Sequence, residues 1–265
     1  GINSRLKATT SNTATDMKRY ILALLLIALT TVQSMAIGIF DDLRYHVRLG
    51  YNIGGTAPLG MPATIRTLDK FTLGNNMTIG LDAYKPLAER WGLMAGFHYE
   101  NKGMRTDARV KNYHMEIRYG DQVIEGMFTG QVVTKVTEWM LTMPIQATYN
   151  VSKKVRLKAG PYFSYVMSND FSGYAYDGYL REGDPTGQKV ELGHDDGERG
   201  DYDFTDDLRH WQFGVDVGAD WYFSKRVGAY ADLAWGLSAI FHKRFKTIEQ
   251  KLYPIYGSVG LMYKL

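Results

Sequence analysis

The sequence predicts an all-β chain, an eight-stranded antiparallel up-and-down transmembrane β-barrel with long extracellular loops. Three observations carry that expectation. Apolar and polar residues alternate with a period of two in eight segments of roughly 10–14 residues, the length of a tilted strand that crosses a bilayer. One face of each segment is continuously apolar, while the other holds glycine, polar and charged residues. The connections between segments alternate between short and long.

The first element is not a strand. Residues 1–16 are polar and aperiodic. Met17, Lys18 and Arg19 then open a basic region, residues 20–30 form an apolar run, and Ser34 and Ala36 put small residues before a cleavage point. This is the pattern of a cleaved secretory leader, with translation starting at Met17. The apolar run is shorter than the ~20 residues of a membrane-spanning helix. Residues 1–36 are therefore expected to be an upstream polar stretch plus a cleaved leader, and 37–265 the barrel domain. The split also relocates the charge. The chain as a whole has 31 basic and 28 acidic side chains, but residues 37–265 have 27 of each. The basic surplus belongs to the leader, and nothing global points to nucleic acid. The absence of cysteine excludes disulfides, thiol catalysis and cysteine-ligated metal. The mean hydropathy of −0.27 argues against a helical membrane protein but suits a barrel, in which every second strand residue meets lipid.

The strands are expected at 43–54, 73–84, 91–100, 138–150, 155–168, 211–223, 227–239 and 253–264. In 227–239, Val227, Ala229, Ala231, Leu233, Trp235 and Leu237 share one face; Gly228, Tyr230, Asp232 and Gly236 share the other. Segments 211–223 and 91–100 repeat the pattern. An apolar exterior around a polar interior fits lipid outside, whereas a soluble barrel or sandwich would carry its apolar face inside. The short connections are 85–90, 151–154 and 224–226; the long ones are 55–72, 101–137, 169–210 and 243–252. Short periplasmic turns and long outer loops then sort the aromatics into two belts. Tyr45, Trp91, Tyr149, Trp221, Phe223 and Tyr263 fall at the periplasmic rim, and Tyr51, Tyr99, Trp139, Tyr165, Trp211 and Tyr253 at the outer rim. Within 101–137, renewed alternation around a turn at residues 119–122 predicts a hairpin that carries the wall beyond the membrane. At its base, Lys102, Arg105, Arg109 and Lys111 are expected to meet anionic headgroups or the acidic third loop.

Several motifs resemble those of the PorT-like, or porin-family, outer-membrane β-barrel domain proteins of Bacteroidetes-type bacteria. They are Tyr51-Asn52-Ile53-Gly54-Gly55-Thr56-Ala57-Pro58, Lys111-Asn112-Tyr113, Gly126-Met127-Phe128-Thr129-Gly130, Ala175-Tyr176-Asp177-Gly178-Tyr179-Leu180-Arg181, Tyr202-Asp203-Phe204 and Pro254-Ile255-Tyr256. The resemblance runs from about Leu43 to Leu265. It implies an outer-membrane location and fold, with no defined substrate. Such barrels commonly end in an aromatic residue read by the barrel assembly machinery; this chain ends Tyr263-Lys264-Leu265. The expected partners are outer-membrane lipid, that machinery during insertion, and a protein at the extracellular loops. No cofactor is expected, and the mature termini should be periplasmic.

Function is read from the lumen and the loops. Eight strands enclose a space that side chains can fill. The inward charges Arg44, Arg48, Arg156 and Lys158 face Asp82, Glu100, Asp216, Asp220 and Asp232, and an unpaired buried charge costs several kcal/mol. A structural charge network that plugs the barrel is expected. The loop 169–210 carries twelve acidic residues against four basic ones. Within it, Asp195, Asp196, Asp201 and Asp203 are a candidate cation-binding cluster, without EF-hand spacing. No catalytic residues and no metal site are assigned. A non-catalytic surface or assembly component, presenting its loops for partner binding or secretion, is the first reading. A narrow channel through the same charges is the alternative, and a barrel hydrolase using His98 and Glu100 is the third.

Overall fold

The computed structural model describes residues 41–265 apart from 61, 121, 246 and 249; the expected leader lies outside them. Eleven strands are described: β1 (Arg44–Pro58), β2 (Ile65–Leu73), β3 (Met77–Pro86), β4 (Trp91–Tyr119), β5 (Gln122–Asn150), β6 (Val155–Glu182), β7 (Lys189–Leu192), β8 (Gly200–Asp203), β9 (Trp211–Tyr222), β10 (Val227–Gly236) and β11 (Leu252–Lys264). Eight of them close into an antiparallel ring in the order β1-β3-β4-β5-β6-β9-β10-β11, and β11 pairs back onto β1 from Leu252↔Pro58 to Lys264↔His46. Each expected strand is one member of this ring. The closure leaves no free edge at membrane depth, where an unpaired N–H or C=O would cost several kcal/mol.

In the membrane section the alternation is regular. Leu49, Ile79, Phe97, Val217, Leu233 and Leu261 face outward and are 48–59% exposed around mid-strand. His46, Arg48, Asp82, His98 and Lys158 lie inside and are buried. Aromatics ring both ends. Trp91 packs on Tyr149 at 4.9 Å and Trp221 on Phe223 at 5.8 Å at the end with short turns. Tyr99 stacks on Trp139 at 5.3 Å and Tyr165 meets Trp211 at 4.9 Å at the other.

Beyond the second ring the wall continues. β4 and β5 pair without a break in the chain to Tyr119↔Gln122, and Gly120, at φ +60, takes the left-handed conformation that the tight turn needs. The expected hairpin is thus present. The acidic segment 169–210, expected as a loop, is largely strand: β6 runs to Glu182, β7 pairs with β6, and β8 bridges β6 and β4. β2, also expected as loop, adds to the outer half of β4. Three bulges re-aim the side chains. An extra β4 residue between Val110 and Tyr113, with Asn112 at φ +51, turns the inward set from even positions to Met115 and Ile117. Extra residues in β6, opposite the Trp139/Met140 and Thr129/Gln131 steps, do the same for Phe171 and then Leu180; Asp177 in the second has φ +47. Those residues join Phe128, Val132, Val136, Ala175, Leu192, Phe204, Leu208, Ile240 and Phe241 in one apolar core above the membrane.

Candidate functional site

The polar lumen is built from the inward positions of all eight ring strands, and its side chains pair across the barrel. Asp82 of β3 accepts from His98 of β4, Nε2 to Oδ1 2.7 Å, and from Arg48 of β1, Nη1 to Oδ2 3.4 Å. The second guanidinium nitrogen of Arg48 donates to Asp232 of β10, and its plane lies 3.7 Å over the Tyr230 ring. Lys158 of β6 sits between two carboxylates, 2.8 Å from Asp220 Oδ1 and 2.9 Å from Asp232 Oδ1. Towards the short turns, Arg156 lies 4.0 Å from Asp220, donates 3.1 Å to Asn150 Oδ1 and covers Tyr84 at 3.7 Å. Towards the loops, Glu100 accepts from Lys102 and from Thr142, each at 2.9 Å, and Thr142 bonds Ser164 at 2.8 Å. Gln146 donates to Asp216, and Gln212 donates 2.7 Å to Glu138.

Six of the eight ring strands thus bring Arg48, Asp82, Glu100, Arg156, Lys158, Asp216, Asp220 and Asp232 together in the lumen. Arg44 is the exception and corrects the expected set: it is exposed at the first residue of β1, where the strand reaches solvent and the charge needs no partner. Lys102 was expected among headgroups and is instead buried against Glu100. Its even position, two on from Glu100, was the available signal. Glu138 and Gln146 are inward residues that the sequence reading did not name, although their positions share the inward parity of Thr142 on the same strand. The void left among these groups, beside Arg48, His98, Glu100 and Lys102, is about 20 Å³. That holds about one water.

The acidic cluster does not converge. Arg199 stands inside it, 2.5 Å from Asp196 and 3.0 Å from Asp201, while Asp203 accepts the backbone N–H of Thr205 at 3.0 Å. Asp195 and Asp196 lie on an exposed turn and Asp201 and Asp203 on β8. Among the described residues no three His, Asp or Glu side chains come together as metal ligands. Arg199, between the two acidic pairs in the chain, bonds one carboxylate of each, Asp196 and Asp201.

An open cleft of about 900 Å³ on the outer surface collects opposite charges. Arg105, Arg118, Lys135 and Arg199 line it with Glu116, Asp170, Asp201, Asp203 and Asp206. Nearby, the Asp177 carboxylate 3.0 Å from Nδ1 holds the exposed His194 imidazole above its ordinary pKa. Tyr176 is pushed up to about 12 by burial and by donating 2.8 Å to Asp107.

A closed ring of strands with lipid-facing apolar residues outside, paired charges inside and aromatic belts at both ends defines an integral β-barrel of the outer membrane. Residues 33–242 match the family model for "Outer membrane protein beta-barrel domain", and the chain belongs to that family. No curated protein sequence matches it significantly. Solved structures similar to it include Ail, the attachment invasion locus protein of Yersinia pestis, at 10% identity and TM-score 0.38 over 84% of this chain and 98% of that one. OprG of Pseudomonas aeruginosa matches at 11% and 0.37, over 84% and 95%. The outer membrane protease OmpT of Escherichia coli matches at 13% and 0.36, over 85% and 97%. At such identities and scores, nothing about ligand or activity passes from these proteins to this one.

Proposed function

We propose that the protein is a non-catalytic, non-conducting outer-membrane barrel that carries a folded β-extension on the cell surface and presents it to a protein partner. The observation that supports this best is the contrast between a lumen filled by ion pairs, with a void of about 20 Å³, and strands that run on well past the aromatic belt. A continuous ion path needs more room than one water. His98 and Glu100, the residues a hydrolase would use, are both buried in that filled lumen, and the adjoining space admits no substrate. The mixed-charge cleft around Arg105, Arg118, Asp201 and Asp203 is the proposed contact surface, with charge complementarity setting partner choice. On this reading residues 17–36 are the export leader, with 1–16 upstream of its start, and the termini of the mature chain are periplasmic. The PorT-like resemblance adds a role in secretion or assembly.

Two measurements test it. In planar bilayers the pure protein should show no single-channel openings. Openings that vanish when Arg48 or Glu100 is neutralised would establish a channel instead. Cross-linking in intact outer membranes should then recover a protein that is lost on combined Arg105→Glu and Arg118→Glu substitution. Equal recovery by wild type and variant removes the cleft as the contact surface. Peptide or lipid hydrolysis by the pure barrel that disappears in His98→Ala would replace the proposal with an enzyme.

A further inference from the structure

The wall of the extension has a seam. β1 pairs with β3 only as far as Tyr51↔Met77, and Asn52 N–H still donates 2.7 Å to Asn76 O. Above that point β1 continues to Pro58 with β11 on one side, but on the other side no ladder joins it to β2. β2 belongs to β4 alone. The free edge is handled locally. The Thr56 N–H, with no carbonyl opposite, donates to the Met104 thioether at 3.2 Å, a weak acceptor, and Pro58 has no N–H to leave unpaired. Gly55 lets the two banks meet, since a Cβ there would lie 2.7 Å from Met104 Sδ and 3.2 Å from Phe71 Cε2.

Behind the seam lies an apolar cavity of about 350 Å³. Its β1/β11 side is formed by residues 54–58, Leu252 and Ile255, and its other side by Ile65, Leu68 and Phe71. Met104, Val110, Met115, Val132, Phe171 and Phe204 close its back. The volume is within the range of about 300–1,000 Å³ in which proteins hold small molecules. No charged side chain lines it, and its polar groups are three threonine hydroxyls and the hydroxyls of Tyr113 and Tyr202.

The position of the mouth selects the occupant. Leu68 and Phe71 are 49% and 45% exposed, so the apolar lining reaches the outside of the barrel. They sit just beyond the outer aromatic ring, since Gly54 follows Tyr51 by three residues, or about 10 Å of strand. The apolar surface is therefore continuous with the lipid-facing belt through Ile53. Basic groups flank it. Arg66 and Lys70 on β2 and Lys111 on β4 are exposed and form no ion pair among the described residues. Asp69 and Asp107 lie nearby and accept from the neutral Gln131 at 2.9 Å and Tyr176 at 2.8 Å, so the flank carries both signs with the basic groups in excess.

We propose that this cavity takes an acyl chain of an anionic lipid from the surrounding leaflet, entering sideways between β1 and β2. The headgroup stays outside against Arg66, Lys70 and Lys111, and the chain replaces the apolar contacts that the open seam lacks. The inference is independent of what the outer cleft binds.

The test places the full chain in nanodiscs containing phosphatidylglycerol with a photoreactive diazirine in one acyl chain, and maps adducts by mass spectrometry. Adducts are expected on Met104 or Met115, buried inside the cavity, as well as on belt residues such as Leu233 and Trp235. Ala108→Trp, which fills the cavity from β4, should lower the interior adducts by roughly tenfold, the loss of about 1.4 kcal/mol of binding, and leave belt adducts unchanged. Thr106→Phe serves as the second filling variant, and heat-modifiable mobility on gels confirms that each variant has folded. Labelling of the belt alone in wild type overturns the proposal, as do interior adducts that survive both fillings in folded protein. Equal interior labelling by the phosphatidylcholine analogue overturns the role given to the basic groups. Labelling by a free diazirine fatty acid but not by the phospholipid overturns the membrane source.

Discussion

Three long strands run through both the membrane section and the extension, yet the two are packed in opposite senses. Below the outer aromatic ring, β4, β5 and β6 turn Phe97, Leu141 and Phe163 outward and bury His98, Thr142 and Lys158. Above it, the same strands bury Ile117, Phe128 and Phe171 and leave Arg105, Arg118 and Lys135 at the surface. The barrel wall did not change; its solvent did. Where hydrocarbon surrounds the strand, the apolar face goes out and polar groups must satisfy one another inside. Where water surrounds it, apolar burial drives the fold in the ordinary direction. The bulges at Asn112, Met167 and Asp177 are how β4 and β6 adjust which side chains point inward within one continuous strand.

This contrast can be broken at either end. The largest effect is expected in the lumen. Lys158→Met removes the cation shared by Asp220 and Asp232, which should cost about 3–5 kcal/mol in urea unfolding from micelles, as for a buried pair robbed of one partner. Little loss would mean that water reaches these carboxylates and that the lumen is open. In the extension, Phe171→Ala leaves a hole among Phe204, Phe241 and Tyr202 and should cost about 3 kcal/mol. The damage should be local: faster proteolysis after residue 170 with heat-modifiable mobility intact. Loss of both together would show that the extension and the membrane section fold as one unit.

Outward positions sharpen the comparison at lower cost. Leu233 and Val123 are 48% and 60% exposed, but the first faces lipid at mid-barrel and the second faces water. Leu233→Arg should destabilise by about 2–4 kcal/mol and Val123→Arg by less than about 0.5 kcal/mol in the same unfolding assay. Similar values would misplace the membrane boundary. The smallest effect is on the outside of the extension, where the exposed His194 pairs with Asp177. The imidazole pKa is raised, so the pair's contribution is complete below the ordinary value near 6.5 and is lost as pH climbs through the raised one. NMR titration of His194 should show that elevation in wild type and its return to the ordinary value in Asp177→Asn, a change that keeps a residue tolerant of positive φ.

How much was legible follows from the same physics. Alternation carries parity, so every ring strand and the inward set Arg48, Asp82, Glu100, Arg156, Lys158, Asp216, Asp220 and Asp232 could be read directly. Lys102 was misplaced because a lysine close to the aromatic ring looks like a headgroup partner, and only its even position contradicts that. Arg44 was misplaced because parity does not tell where a strand leaves the barrel. The segment 169–210 read as an acidic loop because Phe171, Ala175 and Leu180, its buried residues, straddle a bulge that shifts the phase. Asp195 and Asp196 lie on a turn and Asp201 and Asp203 on a strand, with Arg199 bonded to one of each pair, an arrangement that spacing alone does not convey.

By itself, then, the sequence determined the class of fold, the number of strands in the ring, the side of each strand that meets lipid and the rims where the aromatics lie. These follow from a period-two pattern read against one solvent, and they need no knowledge of which strands touch. The tertiary structure decided what depends on contacts between distant strands. It chose the pairings that neutralise Lys158 and Arg48, the core that fills the extension, and the point at which β1 parts from β3 to leave a cavity beside the membrane. Ladders and ion pairs join residues far apart in the chain, and their partners are chosen by register and bulges rather than by local composition.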